Sequence, residues 1–281
     1  MDQRNTLRRM FAVAGLEGTD EQLREAKVAV ARSLSSLASG ILFDPTFGVP
    51  AVTEANALAP TCGLLVAAEP AERTSWHGEP RTHRDPALGA RWVLDQGGDA
   101  LKFFVQLRAD RPAPPPGEPD LLEEVLQVTR DVIADARGVG VPVVIENLVY
   151  EFPGEELSAR AREDAIIEAA RALDELDIDL LKLEYPGSPE GTRRLAEVIG
   201  RPWAVLSAGV AFDQFADVLR IAFDEGGASG FIAGRSVWKE SIALGGSERD
   251  AFLTDIAYPR LEELVGLAAS RATPWTSVTG S

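Results

Sequence analysis

The sequence predicts an α/β fold, a (β/α)8 TIM barrel that lacks its first strand. Seven short apolar runs alternate with amphipathic helical patterns, at spacings that suit right-handed crossovers between parallel strands. The 281 residues are enough for one large α/β domain, and we expect a single domain over residues 1–281. Charged residues stand near the ends of several strand patterns, where the sites of such barrels lie.

The elements follow one another in a regular order. Asp20 caps the second helical pattern, in which Leu23, Val30 and Leu34 recur at helical spacing. Both histidines lie in a predicted loop after the second strand, and a proline-rich loop at 112–116 makes a stiff connection. Strands are predicted at 37–44, 63–68, 100–107, 141–147, 180–184, 203–207 and 229–233, and helices at 4–14, 20–36, 50–58, 85–96, 119–137, 158–176, 188–199 and 211–225, with two more helices closing the chain.

The strand at 180–184 carries an unusual lysine, Lys182, between leucines. Only four of the 28 basic residues are lysines, so this placement needs a physical reason. Alternation along a strand puts Leu180, Lys182 and Glu184 on one face and Leu181 and Leu183 on the other. If the leucine pair packs under helices, Lys182 faces an enclosed interior that disfavours its charged form, and a neutral amine can attack a carbonyl to form a Schiff base. The alternative is a structural ion pair with Glu184 or another carboxylate.

Other polar residues occupy equivalent places on neighbouring strands. Lys102 shares a strand face with Phe104, Glu146 closes the next strand, and Ser207 and Arg235 follow the last two. The carboxyl ends of barrel strands meet at one mouth, so these groups should converge on a single pocket. A buried charge is usually a satisfied structural ion, but four strands that each deliver a polar group favour a functional site.

Small residues surround the ends of the last two predicted strands. Ser207-Ala208-Gly209 and Gly234-Arg235-Ser236 each stand where a strand gives way to a helix. Exposed backbone N–H groups, a helix N-terminus and the Arg235 guanidinium would together hold a phosphate. A Gly-Arg pair alone is as well explained by a turn with a surface arginine, so its position in the strand order carries the prediction.

Composition excludes several classes of protein. The net charge of −16 argues against nucleic-acid binding, which needs a basic face. The single Cys62 cannot form an internal disulfide, and no apolar stretch approaches the roughly 20 residues of a membrane span. The N-terminus lacks the apolar core of a signal peptide, so we expect a cytoplasmic protein. His77 and His83 lie six residues apart in one loop, which is a poor zinc site, and we expect no metal and no cofactor.

The chain resembles the class I (Schiff base) tagatose 1,6-bisphosphate aldolases and the related sulfofructose phosphate aldolases of sulfoglycolysis. The resemblance runs from Asp2 to about Trp275. Its motifs are DQRNTLRRMF at 2–11, SGILFDPTFGVPA at 39–51, ALKFF at 100–104, VVIENLVYE at 143–151, LLKLEYP at 180–186, LSAGV at 206–210 and GASGFIAGRSVW at 227–238.

This resemblance implies a role for individual residues. Lys182 matches the Schiff base lysine and Glu146 the carboxylate that moves the proton, while Glu184 is expected to orient the lysine or to act electrostatically near the substrate. It also implies a homo-oligomer that takes a small sugar phosphate and needs no cofactor. Asp2, Gln3 and Lys102 match groups that hold substrate hydroxyls, and Ser207, Gly209, Gly234 and Arg235 match the phosphate cradle.

The N-terminus departs from the family pattern. In the family the Asp-Gln-Arg motif follows the first barrel strand directly, whereas here it follows Met1. A barrel without that strand has two unpaired edges. We therefore expect the natural start to lie upstream of Met1.

The sequence predicts an aldolase that cleaves a phosphorylated ketose to dihydroxyacetone phosphate and an aldehyde. The ketose would resemble tagatose 1,6-bisphosphate or sulfofructose 1-phosphate. Two alternatives stay open. One is a non-catalytic sugar-phosphate-binding regulator, and the other is a barrel isomerase or epimerase that uses Glu146 and Lys102 without a covalent intermediate.

Overall fold

A parallel sheet of seven strands organises the computed structural model, which describes residues 1–278. The strands of the chain are β1 Gly40–Phe43, β2 Gly63–Ala67, β3 Thr74–Trp76, β4 Glu79–Arg81, β5 Ala100–Val105, β6 Val143–Asn147, β7 Leu180–Leu183, β8 Trp203–Leu206 and β9 Gly230–Ile232. The large sheet has the order β1-β2-β5-β6-β7-β8-β9. Within residues 1–278, β9 does not pair with β1. The fold is therefore an incomplete (β/α)8 barrel, which confirms the predicted fold class.

Helices follow or precede each strand of this sheet. They are α1 Asn5–Val13, α2 Asp20–Leu34, α3 Gly48–Glu54, α4 Ala90–Asp95, α5 Leu121–Val139, α6 Ala159–Asp174, α7 Pro189–Ala196, α8 Phe212–Asp224, α9 Arg235–Trp238, α10 Gly246–Phe252, α11 Tyr258–Arg271 and α12 Trp275–Val278. Short 3-10 segments lie at Pro86–Leu88 and Lys239–Ala243, and a π-helical turn at Leu253–Ala257 joins α10 to α11. None of the helices described in residues 1–278 is both long and apolar enough to cross a membrane.

The two faces of the sheet have different partners. Leu181 and Leu183 pack in the main core between strands and helices. Leu180 instead packs with Val144 and Ala204 in a small apolar cluster on the opposite face. Because side chains alternate along a strand, this arrangement confirms that the leucine pair packs under the helices.

The helix predicted at 85–96 is broken at Gly89. Here the chain forms a 3-10 turn at Pro86–Leu88 before α4 begins at Ala90. Asp135 of α5 accepts a hydrogen bond from the backbone N–H of Ala90 at 2.9 Å, and a Cβ on Gly89 would lie 2.5 Å from the same carboxylate oxygen. The helix start is therefore set by a long-range contact that the local pattern does not contain.

The predicted loop with both histidines contains a β-hairpin. β3 and β4 are antiparallel and are joined by His77 and Gly78, whose φ values are 47° and 88°. Two positive φ values are the mark of the tight turns that suit twisted hairpins. Histidine is an unusual first residue for such a turn, so the local sequence does not predict a hairpin.

Two glycine substitutions test the packing around the start of β5. A Cβ on Gly98 would lie 2.7 and 2.8 Å from methyl groups of Val93 and Val66, whereas a Cβ on Gly138 in α5 meets nothing within 4 Å. We expect Gly98→Ala to lower the free energy of unfolding by about 1–3 kcal/mol through overpacking. Gly138→Ala should raise it by about 0.5–1 kcal/mol, because alanine is the better helix former. Urea denaturation measures both, and equal effects would contradict the packing described.

Candidate active site

A lysine and a glutamate stand side by side at the centre of the sheet. The strand register pairs Glu146 of β6 with Lys182 of β7, so both side chains leave the same face. The Lys182 Nζ lies 2.9 Å from Glu146 Oε1. Only 6% of Lys182 and 8% of Glu146 is exposed. The structure therefore holds a buried amine next to a carboxylate.

A second buried lysine, Lys102 of β5, shares the same glutamate. Its Nζ lies 2.7 Å from Glu146 Oε2, 2.9 Å from Glu69 Oε1 and 3.0 Å from Asp2 Oδ2. An ammonium group has three N–H donors, and three carboxylates surround this one. A substrate hydroxyl can therefore reach Lys102 only by displacing one of these carboxylates.

Burial and neighbouring charges shift the pKa values of the residues in this cluster. Although burial acts in the opposite direction, the charges of Lys102 and Lys182 hold the pKa of Glu146 below its usual value. For Glu69, burial raises the pKa, because the attraction of Lys102 does not offset it. The surrounding carboxylates overcome the effect of burial and raise the pKa of Lys102 well above its usual value. Glu146 is thus an anion at neutral pH and Lys102 a cation.

Glu69 is the member of this cluster that the sequence analysis missed. It follows β2 after Ala68, two residues beyond the last strand residue. The rule that found Ser207 and Arg235, a polar residue just after a strand, would have found Glu69 as well.

The extended segment Met1–Gln3 brings two further predicted residues to the site. Asp2 contacts Lys102, and both Asp2 and Gln3 line the central cavity. The Gln3 side-chain oxygen is buried and has no hydrogen-bond partner within residues 1–278. The Gln3 side chain therefore has an unused hydrogen-bond acceptor next to the cavity.

Glu184 lines the cavity but does not contact Lys182. Its Oε2 accepts a hydrogen bond from the backbone N–H of Val149 at 2.7 Å, and its Oε1 pairs with Arg162 of α6. Burial raises the pKa of Glu184 in spite of Arg162. Glu184 is therefore held by the loop at Val149 and by α6. Strand alternation predicted that Glu184 and Lys182 share a face, but among residues 1–278 the two side chains form no ion pair.

The four predicted phosphate-binding residues lie together at the ends of β8 and β9. Ser207 follows β8, and Gly209 adopts a φ of 81° with its backbone against the side chain of Arg235. A Cβ on Gly209 would lie 3.1 Å from the guanidinium carbon, so a side chain there would disturb the arginine. The Ser236 hydroxyl donates to the Val210 carbonyl at 2.7 Å and ties the two loops together.

Arg235 is the one arginine of this corner, and its guanidinium is open to a ligand. Among residues 1–278 it makes no ion pair and no side-chain hydrogen bond, whereas Arg108 and Arg162, for example, are paired with carboxylates. An unpaired guanidinium beside backbone N–H groups is suited to a phosphate.

One cavity of about 620 Å³ borders these groups, and it also extends between the edge strands β1 and β9 to α2 and α11. Lys182 and Glu146 form one part of its wall, and Ser207, Gly234 and Arg235 form another. The amine and the arginine therefore line the same cavity.

Lys102→Met tests the charge balance of the cluster. The change removes the cation from three enclosed carboxylates, and the loss of one partner of a buried pair costs about 3–5 kcal/mol. The free energy of unfolding should fall by about this amount at pH 7. The uncompensated carboxylates then bind protons more tightly in the folded than in the unfolded protein, so the deficit should shrink as the pH falls towards 5.

The wild-type protein should show the opposite trend below pH 5. Its Glu146 has a lowered pKa in the folded state, so the stability from this group is lost as the pH falls through that value.

Lys239→Met, outside the cavity, removes the same formal charge as Lys102→Met and serves as its control. Denaturation curves at pH 5, 6 and 7 measure the deficit of the variant, and curves at pH 3, 4 and 5 measure the trend of the wild-type protein. A deficit that is the same at pH 5 and pH 7 would contradict the proposed charge balance.

Comparison with known proteins gives a consistent picture. The tagatose 1,6-diphosphate aldolase 2 of Streptococcus agalactiae serotype III (strain NEM316) is 29% identical to this chain, over 98% of this chain and 91% of that protein. The tagatose 1,6-diphosphate aldolase of Lactococcus lactis subsp. lactis is 28% identical over the same shares.

Solved structures share the fold. The crystal structure of an archaeal fructose 1,6-bisphosphate aldolase has a TM-score of 0.62 and 20% identity, and covers 86% of this chain and 83% of its own. A Schiff base forming fructose-1,6-bisphosphate aldolase has a TM-score of 0.59 and 19% identity, with coverage of 84% and 82%. The model of the DeoC/LacD family aldolase matches residues 1–240. With 240 of its 281 residues matched, this chain belongs to the DeoC/LacD aldolase family.

Proposed function

We propose that this protein is a class I aldolase that cleaves a phosphorylated ketose to dihydroxyacetone phosphate and an aldehyde through a Schiff base on Lys182. One observation carries the proposal. Lys182 is buried 2.9 Å from Glu146 in a cavity that also contains the unpaired Arg235. Covalent catalysis by lysine needs an amine shielded from bulk water and a neighbouring group that moves protons.

The first step joins the lysine to the ketose. In its neutral form, Lys182 Nζ attacks the carbonyl carbon C2 and forms a carbon–nitrogen bond. The carbonyl oxygen gains protons and leaves as water, which gives a protonated imine. Glu146 lies close enough to Nζ to take and return the protons of these transfers.

The second step breaks the carbon chain. Ionised Glu146 removes the proton from the C4 hydroxyl, the C3–C4 bond breaks, and the aldehyde leaves. The electron pair of that bond moves towards the imine nitrogen and gives an enamine. Protonation at C3 and hydrolysis then release dihydroxyacetone phosphate and restore Lys182. Glu146 is ionised at neutral pH and can accept this proton, and its position beside Lys182 Nζ, not its lowered pKa, supports its role as the base.

The remaining residues bind the substrate in this proposal. Arg235 and the backbone of the two glycine-containing loops hold the C1 phosphate, which fixes the position of C2 relative to Lys182. The residues assigned to this phosphate are Ser207, Gly209, Gly234 and Arg235, and those assigned to the sugar hydroxyls are Asp2, Gln3, Lys102 and Glu184. Lys102 takes this role only where a hydroxyl displaces one of its three carboxylates.

The relatives point to a first substrate to test. The curated relatives are named tagatose 1,6-diphosphate aldolases, so tagatose 1,6-bisphosphate is our first choice. Sulfofructose 1-phosphate is the second substrate to test, since it carries a sulfonate at C6 in place of the phosphate and has the opposite configuration at C4. On the same family resemblance, we infer a single-domain homo-oligomer that acts in the cytoplasm on a small sugar phosphate.

A kinetic comparison of three variants tests the proposal. Wild-type protein should release dihydroxyacetone phosphate from tagatose 1,6-bisphosphate in a coupled assay, and Lys182→Met should show no detectable turnover. Glu146→Gln should lower kcat by about 10²–10⁴-fold, the usual range for the loss of acid–base catalysis. Lys239→Met lies outside the cavity and should behave as wild type.

Other outcomes would point to other functions. Cleavage that persists in Lys182→Met would refute the Schiff base mechanism. Isomerisation or epimerisation that needs Glu146 but not Lys182 would favour chemistry without a covalent intermediate. Binding of ketose phosphates without any turnover in the wild-type protein would favour a regulator.

A further inference from the structure

The mechanism above leaves one fully buried lysine unused. Lys27 of α2 is 0% exposed, and its Nζ contacts three oxygens. It lies 2.8 Å from Asp44 Oδ2, and it donates to the backbone carbonyls of Met1 at 2.6 Å and Gln3 at 2.9 Å. These contacts account for all three N–H donors of the ammonium group. Lys27 therefore has no donor left for a ligand.

Asp44 fixes this lysine to the barrel. It lies directly after β1, is 0% exposed, and accepts hydrogen bonds from the backbone N–H groups of Thr46 at 3.0 Å, Phe47 at 2.8 Å and Gly48 at 3.1 Å. These bonds hold its carboxylate at the start of α3. Asp44 thus ties Lys27 to the turn between β1 and α3.

The two carbonyls that Lys27 holds lie on either side of Asp2. The Met1 carbonyl belongs to the peptide unit before Asp2 and the Gln3 carbonyl to the peptide unit after Gln3, so the two bonds hold both ends of the segment from which the Asp2 and Gln3 side chains project. The Asp2 side chain places Oδ2 3.0 Å from Lys102 Nζ, and Lys102 in turn contacts Glu146, the neighbour of Lys182. A continuous set of contacts therefore runs from Lys27 to the proposed nucleophile.

We propose that Lys27 and Asp44 are positioning residues, a buried clamp that fixes residues 1–3 so that Asp2 and Gln3 are held at the catalytic cluster. The catalytic part of this proposal rests on the proposed aldolase function. Neither residue touches the cavity, so each acts only through the segment it holds. The clamp explains why an extended segment, outside any helix or strand, can supply two site residues.

A buried ion pair is an expensive way to hold a backbone. Desolvation lowers the pKa of Lys27, and the charge of Asp44 opposes this effect only in part. Replacing a buried pair by apolar groups is often neutral or stabilising. Positioning of site residues would explain why a buried ion pair stands at this place, and the kinetic comparison below separates positioning from a purely structural role.

The test uses a clamp variant that removes both charges together. Lys27→Met with Asp44→Asn leaves no lone buried ion, which protects folding. Lys27→Gln, which keeps two N–H donors, is measured in parallel. It should change hydrogen exchange and kcat/KM in the same direction as the clamp variant, but by less. Arg249→Met is the matched control, because Arg249 is also a buried cation that donates to backbone carbonyls, those of Ser241 and Leu244, but does not line the cavity.

The first readout needs no turnover. In the clamp variant, hydrogen exchange of the backbone amides at residues 2–5 should become at least about tenfold faster, while Arg249→Met should leave these amides unchanged. Unchanged exchange in the clamp variant would overturn the proposal. This result stands even if the protein cleaves no ketose phosphate, so failure of the clamp and failure of the proposed function are distinguishable.

The second readout is kinetic. Misplaced site groups cost up to about 10²-fold, so the clamp variant should lose about ten- to a hundredfold in kcat/KM for tagatose 1,6-bisphosphate. In a background of Asp2→Ala with Gln3→Ala the same change should cost less than about twofold, because the side chains that it positions are already gone. Equal losses in both backgrounds would overturn the positioning role, as would a loss of the same size in Arg249→Met.

Discussion

The bridge formed by Glu146 between two buried lysines is the interaction on which the site depends. A single buried carboxylate or ammonium would lose several kcal/mol of hydration without compensation. Here the register of β5, β6 and β7 places Lys102 Nζ 2.7 Å from Glu146 Oε2 and Lys182 Nζ 2.9 Å from Glu146 Oε1. Each buried charge is compensated by the opposite charge beside it. The strands that align the three side chains also bury them, so that little of each is exposed to water.

The two lysines have different surroundings, and the difference assigns their roles. Lys102 is enclosed by the carboxylates of Asp2, Glu69 and Glu146, so its donors are committed to the protein. Lys182 forms an ion pair only with Glu146 among residues 1–278 and lines the cavity. We therefore propose that Lys182, which lines the cavity, is the amine that meets the carbonyl carbon, while Lys102 holds the acids around it. Arg235 lines another part of the cavity, where we propose that it binds the phosphate.

Much of this site could be predicted from the sequence. Side chains alternate along each strand, and the carboxyl ends of barrel strands meet at one mouth, so residues far apart in the sequence are predicted to be neighbours. Lys182, Glu146, Ser207 and Arg235 were found in this way, whereas Asp2 and Gln3 depended on the family resemblance. The role of Lys27 could not be predicted, since a lysine in an amphipathic helix normally faces solvent and its acceptors are backbone carbonyls of a distant segment. The break at Gly89 likewise depends on Asp135, 46 positions along the chain in a different helix.

Chemical trapping tests the central assignment most directly. Sodium borohydride reduces an imine to a stable secondary amine, so protein treated with borohydride and dihydroxyacetone phosphate, then digested, should carry the adduct on the peptide that contains Lys182. Lys102, which shares Glu146 with it, should be unmodified and serves as an internal control. An adduct on Lys102, or turnover of a ketose phosphate with no adduct on any lysine, would contradict the account.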